Sequence, residues 1–263
     1  MRITFLGTGS AMPTGERFQT GLLVQSGEDR LLVDCGSGAL HGLARTNVGY
    51  EHVDTLLVTH HHLDHVSDIM PLLKARWLDG QEGMTIAGPA GTPALVEGML
   101  DTHEYMQDRM HLDLRTVGPT TGAEGETGEG TEGPHRIAGF DVEAMETRHS
   151  MDCLAYRFEH EGGPPFVFSG DSGAFPELVE FADGAAVLAH DCSFPDGVDV
   201  SNHPTPSSLG ETLATADADI GRVYMTHLYP HTGGHEEGML ASIGDHYDGD
   251  VRFAEDGLTV DVS

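Results

Sequence analysis

Residues 53–65, VDTLLVTHHHLDH, decide the fold of this chain. The apolar residues that precede the histidines predict a buried strand, and the H-x-H-x-D-H pattern follows directly at its end. We expect His60 and His62 on one side of a tight loop and Asp64 and His65 on the other. Imidazole and carboxylate groups favour zinc or a similar divalent ion. One such loop can therefore serve two adjacent metals.

An exposed histidine-rich tract or a purification tag is the alternative interpretation of this loop. Its position after a strand in mid-chain argues against a tag. His61 does not fit the ligand pattern, and we interpret it as a spacer that points away from the metals.

Composition predicts one globular domain over residues 1–263. The hydrophobic content is 38%, and no apolar run approaches the roughly 18 residues of a membrane helix. The first residues are interrupted early by glycine and polar side chains, unlike a signal peptide. We therefore expect a cytoplasmic protein without a membrane partner. Cys35, Cys153 and Cys192 have no C-x-x-C spacing and are expected to be buried thiols.

The charge is extreme, because 43 acidic residues face 13 basic ones and the formal net charge is -30. Such a surface indicates adaptation to concentrated salt, where screening reduces repulsion. The rival interpretation is repulsion of nucleic acid, which would argue against a polymeric phosphodiester substrate. At molar salt the Debye length falls to about 3 Å, so that argument loses most of its force.

Strands and helices alternate along the chain in an order that predicts an α/β fold of two sheets with helices outside. The predicted strands cover residues 1–6, 20–26, 30–34, 54–59, 84–87, 136–147, 153–159, 165–169, 185–189 and 222–226. The predicted helices cover residues 38–46, 68–78, 92–106, 176–182, 207–216 and 235–246. Residues 119–134, rich in Glu, Gly and Thr, predict a flexible acidic loop.

Three further residues at strand ends are candidate metal ligands. His149 ends the strand through Val142, Asp171 follows an apolar strand, and His227 repeats the Thr-His junction of Thr59-His60. Rigid strand ends can present side chains with the precision that a metal site needs. Each residue alone also fits an ordinary surface or turn position.

The ordered set resembles the metallo-β-lactamase superfamily along nearly the whole chain. The resemblance implies a four-layer αβ/βα sandwich of two mixed β-sheets flanked by helices. It also implies that His60, His62 and His149 hold one metal, that Asp64, His65 and His227 hold another, and that Asp171 bridges them. Two divalent ions, Zn²⁺ with Mn²⁺ or Fe²⁺ as alternatives, would share a hydroxide that attacks the substrate.

Subsidiary segments resemble the tRNase Z branch of this superfamily. The counterparts are residues 6–10, 13–14, 34–36, 87–92, 188–192 and 203–205. The resemblance implies a phosphodiesterase similar to the endoribonuclease that processes transfer RNA 3′ ends, and members are often homodimers. Asp191 and His203 are then the candidate relay that protonates the leaving oxygen, and Asp64 is a ligand and proton acceptor.

Other substrates stay open, because one fold hosts many hydrolases. The chain has no long basic arm of the kind that grips transfer RNA, so a small cyclic phosphodiester is one alternative. An ester, lactone or thioester is another. A metal-binding protein without turnover is the alternative from a different class.

Overall fold

The structure is a computed structural model that describes residues 1–120, 134–198, 200 and 202–263. Most of the acidic segment predicted as a loop lies outside these residues. Fourteen strands in this described part form two seven-stranded sheets.

The first sheet has the strand order β14-β1-β2-β3-β4-β5-β6. Its strands β14, β1, β2 and β3 pair antiparallel, whereas β3, β4, β5 and β6 pair parallel. The bounds are β1 Arg2–Gly7, β2 Gly21–Ser26, β3 Asp29–Val33, β4 Thr55–Leu57, β5 Gly83–Gly88, β6 His111–Thr116 and β14 Thr259–Asp261.

The second sheet mirrors this plan with the order β13-β12-β11-β10-β9-β8-β7. Strands β7 to β10 pair antiparallel, and β10 to β13 pair parallel. The bounds are β7 His135–Ile137, β8 Phe140–Glu146, β9 Leu154–Glu159, β10 Phe166–Phe168, β11 Val187–Asp191, β12 Val223–Thr226 and β13 Val251–Phe253. Both sheets are mixed, as predicted.

Seven α-helices in the described part cover the sheets, and short 3-10 turns follow α4 and precede α7. The bounds are α1 Ala39–Ala44, α2 Leu63–Val66, α3 Ile69–Leu78, α4 Thr92–Thr102, α5 Pro176–Phe181, α6 Pro206–Thr215 and α7 Glu236–Gly244. The sequence predicted a helix through Met106, but α4 ends at Thr102 because His103 leaves helical geometry at φ -112° and ψ 59°. No helix among these described residues is long and apolar enough to cross a membrane.

The side-chain alternation of the strands creates the four layers. In β2, Leu22 and Val24 enter the core between the sheets, where they join Phe140 and Phe166 of the second sheet. Leu23 points to the other face, where the core includes residues of the helices α1 and α3. The opposite outer face is covered by α6 and α7. Strands buried on both faces explain the near-continuous apolar runs, and the predicted αβ/βα sandwich is confirmed.

The strand ends define the place of the site. The segments after β4, β8, β10 and β12 carry His60, His149, Asp171 and His227, respectively. In α/β sheets, ligand sites form outside the carboxyl ends of parallel strands. Here one edge of the sandwich therefore collects side chains from both sheets.

Candidate active site

His60, Asp64 and His65 are buried, which excludes the alternative of an exposed histidine tract. His60 and His65 are 0% exposed and Asp64 is 3% exposed, whereas Leu63 points outward and is 76% exposed. The tight loop expected from the sequence ends in α2, a single helical turn that separates Asp64 and His65 from the preceding histidines.

Three imidazoles form the first group of the site. His62 Nδ1 lies 3.0 Å from His60 Nε2 and 3.1 Å from His149 Nε2. Burial lowers the pKa of His60 well below its ordinary value, with the charge of His65 adding to the effect. Burial likewise lowers the pKa of His149. Neutral imidazole nitrogens that face one another at this distance can share one cation.

The second group comes from α2 and the end of β12. His227 Nε2 lies 3.1 Å from Asp64 Oδ2, and His65 Nε2 lies 3.8 Å from the same oxygen. Burial raises the pKa of Asp64, but the hydrogen bond from His227 and the charge of His65 outweigh this and lower it. The potential ligand atoms of His60 and His62 thus belong to one group and those of Asp64 and His65 to another.

Asp171 lies between the two groups. Its Oδ1 is 3.2 Å from His65 Nε2, and its Oδ2 is 3.3 Å from His227 Nε2, 3.6 Å from His60 Nε2 and 3.8 Å from His149 Nε2. Burial raises the pKa of this carboxyl, but the surrounding imidazoles hold it well below its ordinary value. An ionised carboxylate in this position can contact two metals.

The donor set fits divalent metal ions on an observation independent of the sequence pattern. His65 Nε2 and Asp171 Oδ1 are buried 3.2 Å apart, but neither makes a hydrogen bond of proper geometry, with the other or with any atom in the described part of the chain. Unpartnered buried polar atoms cost free energy, and a cation would satisfy both. The ligand atoms of each group lie within 4.8 Å of one another. The cluster therefore suits two ions held by imidazole and carboxylate.

Asp34 orients one imidazole of the site, and sequence reasoning did not select it as a site residue. Its Oδ2 lies 2.7 Å from His65 Nδ1, and it accepts hydrogen bonds from Thr59 N at 2.7 Å and from Thr59 Oγ1 at 2.8 Å. A carboxylate on the outer nitrogen fixes the ring and strengthens its basicity toward a metal. Its position at the end of β3, beside the strand that carries His60, was the available signal.

Asp191 and His203 form a buried pair beside the cluster. His203 Nδ1 lies 2.6 Å from Asp191 Oδ2. A ring nitrogen of His203 is also within 4.8 Å of ligand atoms of Asp171 and His227. Burial lowers the pKa of His203, but the charge of Asp191 and its hydrogen bond outweigh this and raise it. A proton on His203 is therefore stabilised near the place where a substrate would react.

Ser193 links this pair to the second group and was not found from the sequence. Its Oγ lies 2.6 Å from Asp191 Oδ1 and 2.9 Å from His227 Nδ1. If Nε2 of His227 binds a metal ion, Nδ1 carries the ring proton and can donate to Ser193, which in turn donates to Asp191. The polar chain runs from a cluster imidazole to the carboxylate that holds His203.

Two residues of the site adopt a left-handed backbone. His227 has φ 58° and Asp34 has φ 57°, values that non-glycine residues rarely adopt. Such strain persists where the surrounding structure holds the residue in place. Here it turns both side chains at strand ends toward the cluster.

His61 is a spacer with respect to the cluster, as expected. Its Nε2 lies 2.8 Å from Thr92 Oγ1, at the start of α4. The ring therefore faces the loop before α4.

The fold and the site together define a metal-dependent hydrolase of the metallo-β-lactamase fold. YhfI of Bacillus subtilis, a metallo-β-lactamase fold protein, superposes with a TM-score of 0.80 at 25% identity over 99% of both chains. Human tRNase Z, short form, has the same fold, with a TM-score of 0.77 at 22% identity over 100% of both chains.

Sequence comparison identifies the family. Residues 1–203 match the family model described as Anti-Pycsar protein Apyc1. Ribonuclease Z of Mycobacterium bovis is 31% identical over 100% of this chain and 98% of its own length. Ribonuclease Z of Haloferax volcanii is 28% identical over 100% of this chain and 95% of its own length. The chain belongs to the ribonuclease Z-like family of metallo-β-lactamase-fold hydrolases, which includes these relatives.

Proposed function

We propose that this protein is a binuclear metal-dependent phosphodiesterase that hydrolyses RNA, as the name ribonuclease Z states for its relatives. The observation that carries the proposal is the buried Asp191–His203 pair, with 2.6 Å between its polar atoms, beside the seven-residue cluster. A phosphodiester has a poor leaving group unless its oxygen is protonated. The pair supplies that proton, which hydrolysis of an activated ester would not need.

His60, His62 and His149 would hold one ion, Asp64, His65 and His227 the other, and Asp171 would contact both. We propose Zn²⁺, with Mn²⁺ or Fe²⁺ as alternatives that the same donors accept. When bound, the ions supply Lewis acidity toward the phosphate and lower the pKa of the attacking water.

The residues of the chain move the protons. Water adds to phosphorus with loss of a proton to Asp64, and the bond from phosphorus to the leaving oxygen breaks. His203 gives its Nε2 proton to that oxygen, while Asp191 holds Nδ1 and stabilises the charged ring. The Ser193 hydroxyl contacts both Asp191 and His227 and fixes their relative positions.

A small phosphodiester, such as a cyclic nucleotide, is the second candidate, and surface charge favours it. Most arginines in the described part pair with a carboxylate, among them Arg136 with Asp141 and Arg222 with Asp250. The alignment with the Haloferax volcanii relative extends over 314 residues, whereas this chain has 263, so that relative carries segments absent here.

Three finer properties belong to the same proposal. The net charge of -30 supports a protein adapted to concentrated salt. We infer a cytoplasmic location, where RNA and nucleotides are found. We also propose a homodimer, because members of this branch are often homodimers.

A substrate panel in concentrated KCl tests the proposal. Metal-loaded protein is assayed against precursor transfer RNA, a cyclic nucleotide, bis-p-nitrophenyl phosphate and an aryl lactone. Turnover of phosphodiesters supports it, and the first two substrates separate the two candidates. Turnover of the lactone alone would show an ester hydrolase instead. A protein that binds less than one ion per chain and turns over no substrate would have the fold without the enzymatic activity.

The variant His203→Ala tests the acid. We expect kcat for an unactivated phosphodiester to fall about 100-fold or more, with metal content unchanged. A substrate with a nitrophenolate leaving group should be affected much less, because that group leaves without a proton. His52→Ala, which removes an exposed histidine, is the matched control. Loss of metal in His203→Ala would make His203 a ligand and contradict the assigned role.

A further inference from the structure

Two aromatic rings that contact His203, and a third that packs on both of them, have no role in the proton transfers. We name Phe194, Tyr229 and His231 the aromatic wall. The rings of Phe194 and Tyr229 stack with centroids 4.5 Å apart and an interplanar angle of 27°. The ring of His231 lies 5.4 Å from that of Phe194.

The wall extends from the core to the surface. Phe194 is 7% exposed, Tyr229 is half-buried and His231 is exposed. Packing on Phe194 supports Tyr229 from the protein side, while Tyr229 and His231 retain surface that a ligand can reach. A rigid aromatic surface of this kind accepts a flat ring by stacking.

The wall touches the reacting part of the site. The Tyr229 ring centroid lies 5.9 Å from that of His203 and 5.7 Å from that of His227. In a nucleotide, a sugar separates the base from the phosphate. A base whose sugar oxygen reaches His203 is therefore placed near the wall.

The backbone holds Tyr229 in position. Its N–H donates to Ser193 O at 3.2 Å, and its carbonyl accepts from Thr232 N at 3.0 Å and from Thr232 Oγ1 at 2.8 Å. Ser193 is the residue that also links Asp191 and His227. The ring and the acid pair are thus parts of one rigid unit, as precise positioning of a substrate requires.

We propose that the aromatic wall is a nucleobase-stacking subsite for the nucleoside whose oxygen leaves the phosphate. The inference rests on the proposed phosphodiesterase function and names the part of the substrate that sets its position. The wall adjoins His203, the proposed donor to the leaving oxygen, so the stacked base belongs to the leaving nucleoside. Stacking uses the face that every base has, so the subsite accepts all four.

Dinucleotides that carry an abasic sugar on one side or the other test the position of the subsite. In the wild type, we expect removal of the base on the leaving side to lower kcat/KM about tenfold or more, the loss typical of one base–aromatic stack. Removal of the base on the other side should have a much smaller effect. Equal losses on both sides would overturn the assignment.

The variant Tyr229→Leu tests the ring itself. We expect kcat/KM for the full dinucleotide to fall about tenfold, but no further loss with the substrate that lacks the leaving-side base. Tyr229→Phe keeps the ring, so we expect its loss to be much smaller than that of Tyr229→Leu. Tyr247→Leu, at a half-buried tyrosine of the second sheet's helical layer, is the matched control. Equal loss on both substrates would show a structural role and overturn the proposal.

Binding of nucleoside monophosphates to the metal-loaded protein, measured by calorimetry, gives a readout without turnover. We expect a dissociation constant about tenfold higher in Tyr229→Leu and much closer to the wild-type value in Tyr229→Phe. Unchanged binding in Tyr229→Leu would overturn the subsite, whatever the turnover. A wild type that binds through Tyr229 but hydrolyses no phosphodiester would instead refute the proposed function and leave the aromatic wall as a nucleobase site.

Discussion

Asp34 has no contact with substrate in the proposed reaction, yet it controls an imidazole of the cluster. It is fully buried, and its carboxylate interacts with His65 and with both donors of Thr59. These contacts satisfy the carboxylate and set the direction of the His65 ring. The basicity of His65 toward a metal therefore depends on a residue 31 positions earlier in the chain.

The substitution Asp34→Asn should weaken one metal site selectively. The amide retains an acceptor for Thr59 but loses the charge that supports His65. We expect the affinity for the ion at Asp64, His65 and His227 to fall about 10- to 100-fold, the usual effect of losing such a partner. The variant is treated with increasing concentrations of a chelator, and the metal that remains bound is measured. One ion should be lost at a lower chelator concentration than the other.

Asp54→Asn is the control for this prediction, because Asp54 is an exposed carboxylate at the start of β4. It should leave the metal stoichiometry unchanged. If the variant Asp34→Asn loses both ions at the same chelator concentrations as the wild type, Asp34 does not support His65.

At the scale of elements, α2 is held against the turn after β3 by close backbone packing. Gly36 lies in that turn, and a Cβ atom at this position would come within 1.9 Å of Asp64 O. Cys35 N also donates to His65 O at 2.7 Å. The turn and the helix that carries two cluster residues therefore form one tight contact, and glycine is required for space.

The variant Gly36→Ala should destabilise the fold and displace α2. We expect the free energy of unfolding to fall by about 1–3 kcal/mol, the cost of overpacking against backbone. Weaker metal binding should accompany it, since Asp64 and His65 move with α2. Denaturant unfolding and metal analysis measure the two effects.

Gly98→Ala is the matched control, and we expect it to change the free energy of unfolding in the opposite direction. Gly98 lies inside α4, and a Cβ there would meet no atom within 4 Å. Alanine in a helix interior is favoured over glycine by about 0.5–1 kcal/mol, so this variant should be more stable than the wild type. Gly36→Ala as stable as Gly98→Ala would contradict the packing argument.

At the scale of the whole molecule, the cluster joins the two sheets. His60 and His65 lie in the segment after strand β4 of the first sheet. Asp171 and His227 lie just after strands β10 and β12 of the second sheet. A metal ion shared by these residues connects both halves of the sandwich. Its binding energy therefore contributes to the stability of the entire fold.

Removal of metal should lower the melting temperature. A ligand that binds the folded state alone contributes about 2.7 kcal/mol at a concentration 100 times its dissociation constant. Calorimetry of metal-loaded and chelator-treated protein measures the difference, and re-addition of Zn²⁺ should restore it. A chelator-treated Asp171→Asn variant is the control, since its response to Zn²⁺ should be smaller. Identical melting with and without metal would contradict the metal site.

The net charge of -30 makes a second prediction at this scale. Repulsion among carboxylates destabilises the compact state, and salt screens it, so the melting temperature should rise with KCl. Most of the rise should occur below about 1 M, where the Debye length has already fallen to about 3 Å. The series is measured at saturating metal, so that metal loss does not contribute. A melting temperature that is constant or falls with KCl would contradict the adaptation to salt.

Three half-exposed strands at the sheet edges were not predicted from the sequence. Strands β6, β13 and β14 lie at sheet edges, and many of their residues are exposed or half-buried. Their apolar alternation is therefore weak. Central strands such as β2 and β11 were predicted because both of their faces are buried and their apolar signal is continuous.

The amino-acid sequence by itself determined the order of the central strands and of most helices, the family, and the seven candidate ligands, because each of these depends on local patterns. Residues adjacent in sequence, such as His60 to His65, must be adjacent in space. Only the tertiary structure decided that Asp34 supports His65, that Ser193 joins His227 to Asp191, and that Phe194 and Tyr229 stack beside His203. The contacts of Asp34 with His65, of Ser193 with His227 and of Phe194 with Tyr229 join residues 31 to 35 positions apart. Chain folding creates them, and no periodicity in the sequence records them.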